Sequence, residues 1–161
     1  MPRSPPRTIA RLPLVAGAVA SRELFVDTSA WFPLLLRRHP EHAALTAVLR
    51  RRVAQGERIV TTNLVLSETH TLLLYRGHRA AATAFIRAAR ETPNVIVSST
   101  SELEEHALTG WLDRYDDQDF SFTDAVSFAV MDDRRIGRAL TLDRHFAAAG
   151  FEMLTGAAGR R

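Results

Sequence analysis

The stretch DQDFSFTDAVSFAVMDDRRIGRALTLD, residues 117–143, decides how the chain is read. Its middle, Ala125, Val126, Phe128, Ala129, Val130 and Met131, is an apolar helical run, and Ser121 to Asp124 is a Ser-x-x-Asp unit that opens it. Arg138 to Leu142 reads as a short strand ending on Asp143. An acid at a helix start and an acid just past a strand's C-terminal end occupy positions where α/β proteins build sites. Asp117 and Asp119 stand immediately before the same unit.

Upstream the pattern repeats. Leu24-Phe25-Val26 is a compact apolar run ending on Asp27, the mark of a buried strand. Thr28 and Ser29 are suited to cap a helix from Ala30, with Pro33 in its first turn. His39-Pro40 breaks that helix, and Glu41 to Gln55 carries Ala44, Leu45, Val48 and Leu49 at helical spacing before Gly56. Strands are expected over Arg58–Thr61, Val95–Val97 and Phe151–Leu154. Helices are expected over Leu64–Arg76, Arg79–Thr92, from a Ser101-x-x-Glu104 cap to Tyr115, and in a short piece with His145 and Phe146. Strands alternate with helices throughout. The fold class is therefore α/β, a three-layer sandwich with a mostly parallel central sheet flanked by helices.

The expected organisation is one domain over 23–154, preceded by a loose extension over 1–22 and followed by a short tail over 155–161. Arg3, Arg7 and Arg11 precede an apolar run, Leu12 to Ala20, in the manner of a secretory signal. Pro13, Gly17, the shortness of the run and the core strand at Leu24 argue instead for an extension. No stretch has transmembrane length, and the expected location is cytoplasmic.

Composition excludes much chemistry. The 161 residues include no cysteine, which removes disulfides, zinc thiolates and a thiol nucleophile. They include no lysine either, since all 21 basic residues are arginine; a P-loop lysine and a Schiff base are out. The formal charge is +3 and the pI about 10.4. An arginine-only basic surface suits a phosphate-rich partner, and an arginine-rich genome produces the same excess.

Glu68 lies four residues after Leu64 and four before Leu72, which places it on a leucine stripe where a carboxylate needs a cation or an Arg partner. In a parallel sheet Asp27 and Asp143 meet at one edge, with Glu68 and Asp124 facing in from helices. Four carboxylates in one pocket cannot all ionise without a cation. Oxygen ligands without cysteine select Mg²⁺ or Mn²⁺.

Four pieces, LFVDTSAW at 24–31, TTNLVLSETHTLL at 61–73, DFSFTDAVSFAVM at 119–131 and ALTLDRHFAAAGF at 139–151, resemble the PIN-domain ribonucleases, most closely the VapC-type toxins of toxin–antitoxin pairs. The resemblance runs from Glu23 to about Leu154, and departs from the family only in the first twenty residues. It implies metal-dependent endonucleolytic cleavage of RNA, with Asp27, Glu68, Asp124 and Asp143 as metal-binding catalytic acids. It puts Ser29 and Thr123 near the metal, and gives Asp117 and Asp119 an accessory place. It also implies a homodimer bound to a small antitoxin protein. Arg37 and Arg38 end the helix that starts beside Asp27 and are expected to contact the RNA backbone.

The six histidines show no catalytic spacing, and His145 reads as packing or substrate contact. Trp31, Phe32 and Phe120 read as core. Two other readings stay open at this point. A haloacid-dehalogenase-type phosphatase needs a second acid two residues after the strand Asp, where Ser29 stands. A catalytically silent module that binds nucleic acid or antitoxin has no need of four acids.

Overall fold

In the computed structural model the described residues are 21–91 and 93–156; most of the expected extension and tail lies outside them. Five strands, β1 (Glu23–Val26), β2 (Arg58–Thr62), β3 (Val95–Val97), β4 (Arg138–Leu140) and β5 (Glu152–Leu154), form one sheet in the order β3-β2-β1-β4-β5. Every neighbouring pair is parallel. All four residues of β1 are buried, as a central strand covered on both faces requires.

Seven helices connect them: α1 (Thr28–Leu35), α2 (His42–Ala54), α3 (Asn63–Tyr75), α4 (Arg79–Ala89), α5 (Ser101–Ala107), α6 (Phe122–Asp133) and α7 (Arg144–Ala148). The chain steps from β1 to β2 to β3 on one side, then returns to the other side of β1 for β4 and β5. Right-handed crossovers in opposite directions put their helices on opposite faces. They also leave a crevice between β1 and β4 at the C-terminal strand ends, where the direction of winding reverses. Val26 pairs with Leu140, so Asp27 and Thr141 emerge there side by side.

Several boundaries differ from the sequence reading, three of them with a visible cause; α4, for one, stops at Ala89 rather than Thr92. The first helix starts at Thr28 because Asp27 is its N-cap, accepting from Ser29 N–H at 3.0 Å. Pro33 therefore falls beyond the first turn, and the helix stops at Leu35. β4 ends at Leu140 rather than Leu142, because hydroxyls take the next backbone donors. Leu142 N–H donates to Ser29 Oγ at 2.8 Å and Asp143 N–H to Thr141 Oγ1 at 3.0 Å. α5 gives way to a π-helical turn, Leu108–Leu112, which turns Trp111 into the core.

α6 is buried all round from Asp124 to Met131, as its apolar composition demands. Phe128 anchors it, with ring centroids 5.0 Å from Trp111, 5.1 Å from Phe120 and 5.0 Å from Phe146. Phe146 belongs to α7, so one aromatic cluster fixes the two helices that carry Asp124 and follow Asp143.

The opposite edge of the sheet holds paired charges. Buried Glu23, at the start of β1, accepts from Arg134 Nε at 2.9 Å, Arg134 Nη2 at 2.6 Å and Arg58 Nη2 at 2.6 Å. Glu57 pairs with Arg52 at 3.3 Å and Arg138 at 3.0 Å. Gly156, the last described residue, lies so close to Ala44 of α2 that a Cβ would collide with it.

Candidate active site

Asp27 is the most enclosed acid of the site, only 4% exposed. Its Oδ2 accepts from Ser29 Oγ at 2.7 Å, Ser29 N–H at 3.0 Å and Thr141 Oγ1 at 3.2 Å. Burial nevertheless wins over these donors and pushes its pKa from 3.8 up to about 6, with the nearby Asp124 charge adding to the rise. Ser29 and Thr141 also touch each other, at 3.0 Å, so a small hydroxyl lattice ties α1 to the end of β4 around this one carboxylate.

Asp124 occupies the third position of α6 and closes a reciprocal cap with Ser121. Burial raises its pKa too, against the Ser121 hydrogen bonds, and the neighbouring Asp143 adds to the rise. Asp143 caps α7 through His145 N–H at 2.9 Å. The same cap brings the imidazole into the acidic cluster. His145 Nδ1 lies 3.4 Å from Asp124 Oδ2 and 3.5 Å from Asp143 Oδ1, yet makes no hydrogen bond although the atom is buried.

Asp124, Asp143 and His145 each offer a ligand atom, all within 4.8 Å of one another. Crowded acids, beside a buried ring nitrogen that lacks a partner, fit a divalent cation. Two carboxylates with an imidazole form a harder set than a zinc thiolate site.

Other expected residues fall differently. Glu68 is exposed and does not lie on the buried stripe of α3, which is Val65, Leu66, Thr69 and Leu73. Its Oε2 accepts from Thr28 Oγ1 at 2.6 Å, which holds it at the rim beside Asp27. The buried glutamate–arginine pair considered for Glu68 exists, but at Glu23. Thr123 is half-buried beside Asp124, and Asp117 and Asp119 are exposed outside the cluster. Arg37 and Arg38 are exposed beyond the end of α1, roughly 12 Å of helix from Asp27. Trp31 and Phe120 are buried, as expected of core residues. Thr141 is the member that sequence reasoning left out, and His145 the one it read as packing or substrate contact rather than part of the acidic cluster. Their signal is the alternate spacing Thr141, Asp143, His145 after β4.

Residues 24–152 match the family model of the PIN domain. The chain belongs to the PIN-domain family. A 23S rRNA-specific endonuclease, VapC20 of Mycobacterium tuberculosis, is 42% identical over 130 residues, covering 80% of this chain and 95% of its own length. A VapC ribonuclease of Archaeoglobus fulgidus is 27% identical over 124 residues, 76% of this chain and 78% of that protein. The crystal structure of M. tuberculosis VapC20, described as a sarcin–ricin loop cleaving toxin, superposes with a TM-score of 0.71 at 36% identity, over 82% of this chain and 98% of that one. This PIN domain is accordingly an endoribonuclease of the VapC toxin type, a hydrolase of RNA phosphodiester bonds. The phosphatase and silent-module readings lapse with that assignment. PIN nucleases work with a divalent metal, and the buried acidic cluster of this one is consistent with that.

Proposed function

We propose that this PIN nuclease cuts 23S ribosomal RNA at a single exposed loop, using Mg²⁺ or Mn²⁺ held by Asp27, Asp124, Asp143 and His145, with Glu68 at the rim. The observation that carries the reading is the convergence of raised-pKa carboxylates and an unpartnered ring nitrogen in the β1–β4 crevice. The RNA target is drawn from the two M. tuberculosis likenesses, one named for 23S rRNA and the other for the sarcin–ricin loop. A bound divalent ion supplies Lewis-acid polarisation of the scissile phosphate and a water of lowered pKa.

The chain's own residues do the positioning. Ser29 and Thr141 fix Asp27 in one orientation, and Ser121 fixes Asp124, so the acids face the crevice before substrate arrives. Glu68, exposed and steadied by Thr28, is the carboxylate open to solvent that takes a proton from the attacking water. Arg37 and Arg38 make no ion pair among the described residues and meet the RNA backbone a few nucleotides away. In the cytoplasm the active form is a homodimer, silenced by a small antitoxin protein. No helix among the described residues is long and apolar enough to cross a membrane.

The test is the purified full chain with end-labelled 23S rRNA, in Mg²⁺, in Mn²⁺ and in chelator. One cut within a loop is expected with either ion and none in chelator or with Asp124→Asn. Intact rRNA after incubation with the folded wild-type chain and Mn²⁺ overturns the substrate assignment. Cleavage that survives chelator overturns the metal assignment.

A further inference from the structure

The chain has eight phenylalanines, and Phe122 is the one that remains exposed, at 45% of its surface. It is the first residue of α6, two before Asp124 and next to the Ser121 cap. From Asp124 to Met131 the helix is buried on every side, and Phe122, its exposed first residue, stands at the end of α6 that carries Asp124 into the site. It makes no aromatic contact and does not join the core cluster. Phe120, two residues earlier, does the opposite, packing edge-on to Phe128 and His145.

The other large exposed apolar side chains do not extend this surface. Val53 is near the end of α2, and Leu74 and Tyr75 are in the last turn of α3. Leu108 follows α5, whose last turn meets the far end of α6 through His106 and Asp133, 3.4 Å apart. Among the described residues Phe122 is the one large exposed apolar side chain at this end of α6, flanked in sequence by Ser121 and Thr123 and preceded by exposed Asp119. A protein partner's apolar face needs a contiguous patch. One isolated ring matches the face of one nucleobase.

We propose that Phe122 is a stacking platform that determines substrate specificity: a base flanking the scissile phosphate leaves the RNA stack and lies on the phenyl ring. The proposal rests on the endoribonuclease reading. Single-stranded RNA is recognised through unstacked bases laid on aromatic side chains, and every base has a π-face. Stacking two residues from Asp124 registers the strand so that one phosphodiester faces the acids. It favours loops, whose bases are already free to turn out, over duplex RNA.

The experiment compares the wild-type chain with Phe122→Ala and Phe122→Trp in steady-state cleavage of a loop-containing RNA. Matched RNAs lack the base at each nucleotide flanking the cut. Phe122→Ala is expected to raise KM about 10- to 100-fold, the range that loss of one base–aromatic stack produces, with kcat changed far less. Phe122→Trp is expected to stay near wild type. Removing the stacked base should penalise the wild type but not Phe122→Ala, because the two changes delete the same contact. The ring is exposed, so both variants should melt like the wild type. An unchanged KM for Phe122→Ala overturns the proposal, as does a base-removal penalty of equal size in both proteins. Normal cleavage by Phe122→Ala with weakened antitoxin binding also overturns it, by making the ring an inhibitor contact. A wild-type chain that cuts no RNA removes the endoribonuclease reading, and the platform with it.

Discussion

Ser121 N–H donates to Asp124 Oδ2 at 2.9 Å, while Asp124 N–H donates to Ser121 Oγ at 3.0 Å. The oxygen that accepts the Ser121 N–H bond is the one that lies 3.4 Å from His145 Nδ1. A helix cap and a candidate metal ligand are therefore the same carboxylate. Ser121→Ala should cost about 1 kcal/mol of stability, the usual price of a lost N-cap. It should also weaken Mn²⁺ binding, since Asp124 loses the partner that aims it. Thermal melts with and without Mn²⁺ check both: an equal loss in the two conditions would show that the cap does not steer the ligand.

Burial lifts Asp27 from 3.8 to about 6. Between those values the folded chain keeps a proton that the unfolded chain has released, so this group's contribution to metal-free stability falls as pH rises from about 4 to about 6. The shift corresponds to ~3 kcal/mol, as an order of magnitude. Asp27→Asn lacks this titration. It should be more stable than the wild type near neutral pH without metal, and the advantage should vanish below about pH 4. Denaturant midpoints of the two proteins across that range decide, and a constant difference would count against the raised pKa.

Divalent metal should reverse that penalty, because an ion that binds only the native state stabilises it. Millimolar Mn²⁺ should raise the melting temperature of the wild type and leave Asp124→Asn nearly unmoved. A wild-type melt indifferent to Mn²⁺ and Mg²⁺ would remove the cation from the β1–β4 crevice.

Thr141 touches three parts of the site: Asp27 Oδ2, Ser29 Oγ and Asp143 N–H. Thr141→Val keeps the shape and removes the hydroxyl. Metal affinity should drop about 10- to 100-fold, as when groups behind metal ligands are lost, with a folded protein. Isothermal titration with Mn²⁺ measures it.

Arg134 holds buried Glu23 through two hydrogen bonds and is the main cause of its lowered pKa. Arg134→Ala should destabilise by ~3 kcal/mol, because it strands a buried charge with Arg58 alone. Glu23's lowered pKa contributes stability that is lost in acid, so the gap between the two proteins should narrow as pH falls through the carboxylate range. Cleavage per folded molecule should not change, since the pair lies at the edge of the sheet away from the acids.

Asp27, Asp124 and Asp143 were legible because strand ends and helix starts announce themselves locally: an apolar triplet before Asp27, a Ser-x-x-Asp unit at Asp124. Strand alternation likewise revealed the parallel sheet. Glu68 misled because the leucines four residues to either side of it, Leu64 and Leu72, mark only the half-buried flank of α3. The buried stripe runs through Thr69, a polar residue that periodicity discounts. His145 and Thr141 were illegible for another reason. Their roles depend on β4 stopping at Leu140, which follows from hydrogen bonds to Ser29, a residue more than a hundred positions away. The buried partner of arginine was expected somewhere, but which glutamate takes it depends on Arg134 reaching β1 from the end of α6.

The glutamates at the N-terminal strand edge are each clasped by two arginines, whereas the acids at the other edge face one another without a guanidinium among the described residues. Uncompensated, those acids repel a polyanion, and a cation lodged among them would remove that repulsion. On the proposed function this favours one order of arrival: ion first, nucleic acid second. On the proposed function, scarcity of the ion would leave the chain folded with its acids uncompensated, so the supply of ion, as well as the abundance of RNA, would set the moment at which cutting starts.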